Sequence, residues 1–390
     1  MADGRRRRTL LLGLLAVLAA GAVLGMIGQR LVPREEVTGR LQEIVAARTG
    51  GILTPGRVGV RIWGGPGVVL RDGRLAGTGA DLAARTGRPN DLGPYEVEYR
   101  RLEVRLDAAA LLAGRLEWSG ARLVASRVDV AWGGDLLKAR DVEVALSGVT
   151  GATAEPGDLV ADGDLRAATL DHDGCPWRDV RLTGHWAAGR SEDIRLQADL
   201  GDGGLEADLD WNTRADRGGR LSGRVVLTAA PAAELLAPYL PDLAARLRTD
   251  LSGEITGGLD LADRDVRLAS LGLTGRLRGT PGELDAADWL REAGPYLGDR
   301  PDLVHIRFDR LEHDLVVRGG VYRLERLELA GPDTEWRATG AVAFDGKLDL
   351  AVHVRLPAGF TPELGAFSFL AESLRDDDGR VGLGLKVGGT

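Results

Sequence analysis

The 390-residue sequence holds one cysteine, Cys175, and three lysines, Lys138, Lys347 and Lys386. A lone thiol leaves an oxidising compartment open to the chain but excludes an internal disulfide. Positive charge is nearly all arginine, which we read as base composition and not as function. The formal net charge is −8, and no Lys/Arg cluster follows the extreme N-terminus. That balance argues against nucleic acid as a partner. Catalytic signatures are also missing. No G-x-S-x-G elbow is present, so an α/β-hydrolase is not indicated. No lysine ends a phosphate-loop pattern, which removes a Walker A site. Carboxylate pairs for glycoside hydrolysis are uninformative here, because 58 acids supply them everywhere. The five histidines, His172, His185, His305, His313 and His353, read as surface or rim positions.

Two clusters invite a metal reading. "DHDGCPW" (Asp171–Trp177) offers Asp171, His172, Asp173 and Cys175, yet no second His/Cys group lies at a finger-like spacing. An exposed Asp-Gly turn between strands explains it more simply. "RDDDGR" (Arg375–Arg380) lacks the alternating ligands and distal Glu of a calcium loop and reads as a solvated turn. No cofactor and no catalytic residue are expected, and the chain reads as a non-enzyme.

What is present is a large stock of apolar residues, 44% of the chain, against 28% charged, enough to bury a core. Arg5–Arg8 precede Thr9–Ile27, which carries no charge. At ~1.5 Å per residue that run spans about 28 Å, the hydrocarbon thickness of a bilayer. It predicts a transmembrane anchor over residues 9–28, with 1–8 cytoplasmic and the bulk of the chain on the far side. Ala20-Gly21-Ala22 has the small-x-small shape of a cleavage site, so a cleaved signal peptide is the competing reading. Pro33–Thr49 then reads as an amphipathic helix with Val37, Leu41, Ile44 and Val45 on one stripe, stopped by Gly50-Gly51.

From there the period changes to two. Alternation marks strands over Arg57–Ile62, Val68–Leu75, Tyr95–Leu106, Arg115–Val130, Val142–Leu146, Ile194–Leu200, Leu205–Trp211 and Leu221–Leu227. It resumes over Leu251–Leu261, Val266–Leu277, Leu303–Phe308, Leu315–Leu329, Trp336–Leu356 and Arg380–Val387. The 56 glycines punctuate these runs as turns and bulges. Helical stretches are expected over Ala232–Leu247, Gly282–Leu297 and Pro362–Leu374. The fold class is therefore mainly β: a long antiparallel sheet with a few short helices. Some fifteen strands at about 4.8 Å apart would extend roughly 70 Å, and such a sheet curls under its twist into an open groove with an apolar concave face.

The stretch "WRATGAVAFDGKLDLAVHVRLP" is the clearest hairpin. Phe344-Asp345-Gly346 suits a three-residue loop closed by Gly346 at positive φ. That loop sets Val342 opposite Leu348 and Trp336 opposite Val354. Leu348, Leu350, Val352, Val354 and Leu356 then share a face with Trp336, Ala338, Gly340 and Val342. Lys347, Asp349, His353 and Arg355 point the other way, where a change at Arg355 should be nearly silent.

"VTGRLQEIVAARTGGIL" after one membrane helix, followed by "RLEVRLDAAALLAGRLEWSGARLVASRVDVAW", resembles the N-terminal part of AsmA-family proteins. "LAPYLPDLAARLRTDLSGEITGGLDL", "GGVYRLERLELAGPDTEWRATGAVAFDGKLDLAVHVRLP" and "DDDGRVGLGLKVGGT" are similar, in the same order, to an AsmA-type C-terminal region. The resemblance divides the chain into an N-terminal β region (29–148), intermediate strands (149–219) and a C-terminal region (220–390). It implies a single-pass inner-membrane protein with its bulk in the periplasm, and a hydrophobic β groove that binds or conveys phospholipid toward the outer membrane. The lipid-groove candidates are Trp336, Val342, Phe344, Leu348, Leu350, Val352, Val354 and Leu356. Implied partners are phospholipid or another acyl-chain lipid, the inner membrane and envelope proteins. The alternative is a scaffold assisting outer-membrane protein assembly, whose apolar face is merely its core.

Overall fold

The computed structural model describes residues 38–39, 42–43, 45–46, 50–61, 65–81, 92–113, 117–132, 135–150, 160–187, 190–212, 219–260, 268–285, 304–360 and 375–389. The anchor expected at 9–28 and the helix expected over Pro362–Leu374 lie outside them. Of the helix expected over Pro33–Thr49, residues 38–39, 42–43 and 45–46 are described, and they are helical.

In chain order the first strands are β1 (Ile52–Thr54), β2 (Arg57–Arg61), β3 (Gly67–Thr78), β4 (Leu92–Leu106), β5 (Trp118–Trp132), β6 (Asp135–Thr150), β7 (Val160–His172) and β8 (Cys175–Ala187). They are followed by β9 (Arg190–Leu200), β10 (Gly203–Asn212), β11 (Arg220–Pro231), β12 (Leu247–Arg248), β13 (Asp250–Asp260), β14 (Gly272–Gly279), β15 (Gly282–Asp285) and β16 (His305–Phe308). The last are β17 (Arg310–Arg318), β18 (Val321–Ala330), β19 (Glu335–Ala343), β20 (Leu348–Arg355) and β21 (Gly382–Gly389). Among the described residues the short helices α1 (Ala108–Leu112), α2 (Ala232–Leu236) and α3 (Pro241–Ala244) interrupt them. Eighteen strands belong to one large antiparallel sheet, while β12, β15 and β16 form a second. The described residues fall into two compact units. One lies within Met1–Gly134 and Lys138–Asp164, the other within Asp135–Leu137 and Leu165–Thr390.

In the first unit β1 and β2 both pair with β3, which pairs with β4, which pairs with β5. Asp107 starts α1 by accepting the Ala110 N–H at 2.7 Å, the side-chain cap that a first helical turn needs. Glu103 is buried beneath Arg61, Arg101 and Arg105. Burial pushes its carboxyl up, but the Arg101 hydrogen bond and the Arg61 and Arg101 charges outweigh that and hold it below the usual range.

In the second unit the strands β8 to β11, β13, β14 and β17 to β21 pair antiparallel in succession. Two insertions break the succession. The first holds α2, α3 and β12; the second holds β15 and β16. They meet, because β12 pairs with β15 and β15 with β16, and together they cover one end of the large sheet. Here the sequence expectation needs correction at Gly282–Leu297. Gly282–Asp285 is strand β15, with Leu284 opposite Ile306, and 286–297 lies outside the described residues. Leu315–Leu329 is likewise two strands, parted by Gly319 and Gly320 at φ 59° and 73°. Asp173 and Gly174 turn between β7 and β8, as the Asp-Gly pair suggests.

The β19–β20 hairpin has the expected register: Val342 faces Leu348 and Trp336 faces Val354. Gly346 takes φ 94°, its N–H bonds the Ala343 carbonyl at 2.9 Å, and the Ala343 N–H bonds the Lys347 carbonyl at 2.8 Å. Gly340 matters for a different reason. It sits mid-strand at φ 141°, and a Cβ there would lie 2.2 Å from the Asp349 carbonyl oxygen. Gly340→Ala is expected to cost about 1–3 kcal/mol through backbone strain, read as a lower denaturation midpoint with the denaturant slope unchanged.

Candidate functional site: an apolar face across ten strands

Cross-strand registers assemble three parallel rows on one face of the second unit. The central row begins at Leu196 on β9 and runs through Ala207, Val225 and Ile255 to Gly275 on β14. It continues through Leu315, Leu324, Gly340 and Leu350 to Val387 on β21. On one side runs Ile194, Leu209, Gly223, Gly257, Leu273, Val317, Tyr322, Val342 and Leu348. On the other runs Ala198, Leu205, Leu227, Gly253, Leu277, His313, Leu327, Ala338, Val352 and Leu385. Bulges in β11 and β18 add a residue without turning the next one over, so the face stays consistent.

The opposite face is charged. Arg195 lies 3.8 Å from Asp208, Arg224 2.7 Å from Glu254, and Arg276 2.8 Å from Asp314, which Arg326 also meets at 3.1 Å. A shallow hollow of about 650 Å³ is bordered by Ser252, Glu254, Thr256, Thr274 and Arg276 of the charged side, together with Leu227, Gly253 and Gly275 of the rows. The two faces thus differ in chemistry over the full set of strands, as a sheet with one dry side requires.

One end of the apolar face is closed. A fourth row passes through Leu251, Gly279, Leu311, Leu329, Trp336 and Val354, and the two insertions cover it. Leu247, Ile306 and Phe308 join this core, with Leu235, Leu236 and Leu284 packed against it. Of the sequence candidates, Trp336, Val354 and Leu356 are buried there, and Val352 borders it. Trp336 satisfies its indole N–H on Thr334 Oγ1 at 2.9 Å. Val342 and Leu348 stand in one of the remaining rows and Leu350 in the central one, all half-buried. Phe344 is set apart: it occupies the loop tip, 45% exposed.

Two polar features interrupt the rows. His313 hydrogen-bonds the Arg326 carbonyl through Nδ1 at 3.0 Å and Tyr322 Oη through Nε2. Sequence reading placed His313 at a rim; its partners lie 9 and 13 residues away, and only the β17–β18 register brings them to it. Burial pushes the imidazole below its ordinary 6.5, opposed in part by the Arg326 carbonyl and Asp314. Burial also raises Tyr322 to about 12. A histidine lowered on folding leaves stability intact above the unfolded value and removes it as pH falls toward the folded one. Wild type should therefore lose more melting temperature than His313→Gln between about pH 7.5 and 5.5, read by paired thermal melts. At the far edge, Trp186 and Trp211 stack edge-to-face with centroids 4.8 Å apart, and both indole nitrogens are buried without a hydrogen-bond partner among the described residues.

Rows contributed by β9 to β14 were missed as site residues. The signal was there, since each strand alternates, but only the registers between strands join those alternations into one surface. Comparison with family models, curated proteins and solved structures finds no match for this chain.

Proposed function

We propose that this protein is a membrane-anchored, non-enzymatic lipid handler of the cell envelope, in which the three apolar rows line an open groove that binds or conveys acyl chains of phospholipid. The anchor is Thr9–Ile27 and the bulk of the chain lies in the periplasm. The AsmA resemblance of the sequence supports that setting. The observation that carries the reading is the continuity of the rows: ten successive strands present small and aliphatic residues on one side, broken only at His313 and Tyr322, with arginine–carboxylate pairs on the other. Contact with a dozen methylenes is worth on the order of 10 kcal/mol gross at ~0.8 kcal/mol each. Loss of the same contacts in the bilayer offsets most of it, which suits a surface that must release its cargo.

The closed row around Trp336 favours a second reading, a scaffold for envelope assembly whose apolar face is core throughout. Native mass spectrometry of the full chain from mild detergent separates the two. Adducts at phospholipid masses are expected. A folded chain that carries none, even after incubation with phospholipid vesicles, sinks the lipid reading and leaves the scaffold.

A further inference from the structure

We infer that Asp135, His172 and Asp173 form a binding site for a divalent cation of the zinc class. Taken alone, "DHDGCPW" lacks a partner group and looks like a turn. The fold supplies the missing group from 37 positions upstream. Asp135 opens β6, His172 ends β7, and one ligand atom from each of the three residues lies within 4.8 Å of the others.

The carboxylate of Asp173 is fixed before any ion arrives. Its residue sits at φ 50°, its N–H donates to the Leu136 carbonyl at 3.2 Å, and its Oδ1 accepts the Leu136 N–H at 2.8 Å. Among the described residues its Oδ2 makes no such bond. His172 Nδ1 is 3.3 Å from the Tyr239 hydroxyl oxygen, and Nε2 is 3.9 Å from Asp135 Oδ2. With Nδ1–H donated to Tyr239, Nε2 carries the lone pair toward the carboxylates, the outer-shell device that orients a metal-binding imidazole. Asp171 and Cys175 are not part of the set. Asp171 Oδ1 accepts the Gly174 N–H at 3.0 Å, and Cys175 is turned into the core with its thiol pushed up to about 11 by burial and by Glu234 and Asp171.

Charge gives the independent argument. On β10, β13 and β17 the carboxylates of Asp208, Glu254 and Asp314 are answered by arginine. At this corner two carboxylates converge on one imidazole, and among the described residues neither pairs with an arginine or lysine. A bound cation neutralises both. One nitrogen and two oxygens, with water completing the shell, suit zinc and its neighbours, whereas calcium takes oxygen throughout. Ligand atoms on a tetrahedral ion with bonds of ~2.1 Å stand about 3.4 Å apart, so the His172–Asp135 edge needs to close only slightly.

Calorimetric titration of the full chain with zinc chloride, calcium chloride as control, is the test. One saturable zinc site is expected, with a zinc-dependent rise in melting temperature. His172→Ala should abolish the heat, Asp135→Asn and Asp173→Asn should each weaken binding at least ~10-fold, and Tyr239→Phe about 10-fold. His305→Ala should change nothing. Absence of zinc heat in wild type overturns the site, as does heat that survives His172→Ala or both Asp variants. Calcium bound as tightly as zinc overturns the assigned class.

Discussion

Arg355→Glu should melt far below wild type, although its neighbours in sequence place it on the outward face. Its guanidinium meets Glu335 at 3.0 Å, Asp376 at 2.9 Å and Asp378 at 3.0 Å. Arg380 completes the knot by binding the other Glu335 oxygen at 2.8 Å and the Leu356 carbonyl at 3.0 Å. These contacts replace the expectation that a change here is nearly silent, because alternation along β20 says which way a side chain points and not what meets it. "RDDDGR" does not float free either: two of its carboxylates hold Arg355. Reversal would place four carboxylates together, a like-charge cluster that resists closing. The turn over residues 375–380 lies directly before Val381, and Val381 and Leu356 are fully buried in the closed core. Opening the turn therefore exposes that core. Hydrogen bonds from Arg355 and the Arg380 N–H also hold Asp376 below its usual range, so its contribution is present above about pH 4 and is lost as pH falls through the folded value. Thermal melts of Arg355→Glu and Arg355→Met decide the matter. A charge-reversed chain that melts with wild type would show the knot to be ornamental.

Leu350→Glu should separate the open rows from the closed one. Leu350 is half-buried between Gly340 and Val387 and takes no part in the closed core. In an open groove its carboxylate reaches water when no lipid is present, so melting should stay near normal. An acyl chain passing over it would have to desolvate the charge, so phospholipid adducts should vanish from native mass spectra. Trp336→Ala is the contrast. It empties a buried site and is expected to cost about 3–5 kcal/mol. Val352→Glu is less informative, because Val352 packs against the core and damages fold and face together. If Leu350→Glu unfolds as readily as Trp336→Ala, the rows are closed core and the lipid proposal would be falsified.

Much of this was readable in advance where the controlling chemistry is local. The β19–β20 register follows from one loop and the residues either side of it, and the face shared by Trp336, Leu350 and Val354 follows from that register. Of the two insertions, the helical Ala232–Leu247 and the strand within Leu303–Phe308 were legible, but β15 escaped because its reason is remote. "GELDAADWLREAG" has helical spacing, but Gly282–Asp285 finds its partner in His305–Phe308, some twenty residues away, and strand pairing overrides local preference. Trp336, Val354 and Leu356 read as groove floor for the same cause. Nothing in the hairpin reveals that Phe308 and Leu247 lie over it. Arg355 and the Asp135–His172 corner were obscured likewise, since their partners sit 20 to 37 positions off. Leu315–Leu329 failed more simply, through a Gly-Gly turn hidden inside an unbroken apolar alternation.

The successive antiparallel pairing of β17 through β21 has a bearing on how such a chain changes length. Every neighbour there runs opposite to the last, so excising or duplicating two consecutive strands leaves direction and sidedness of the rest untouched. The apolar rows would shorten or lengthen by about 9.6 Å per pair. A single strand gained or lost would force two neighbours to run parallel and demand a crossover of a dozen residues or more, where two to four residues now join β17 to β18, β18 to β19 and β19 to β20. Growth by hairpins is therefore the step this architecture tolerates, and the width of its dry face is a quantity that selection can set by counting in twos.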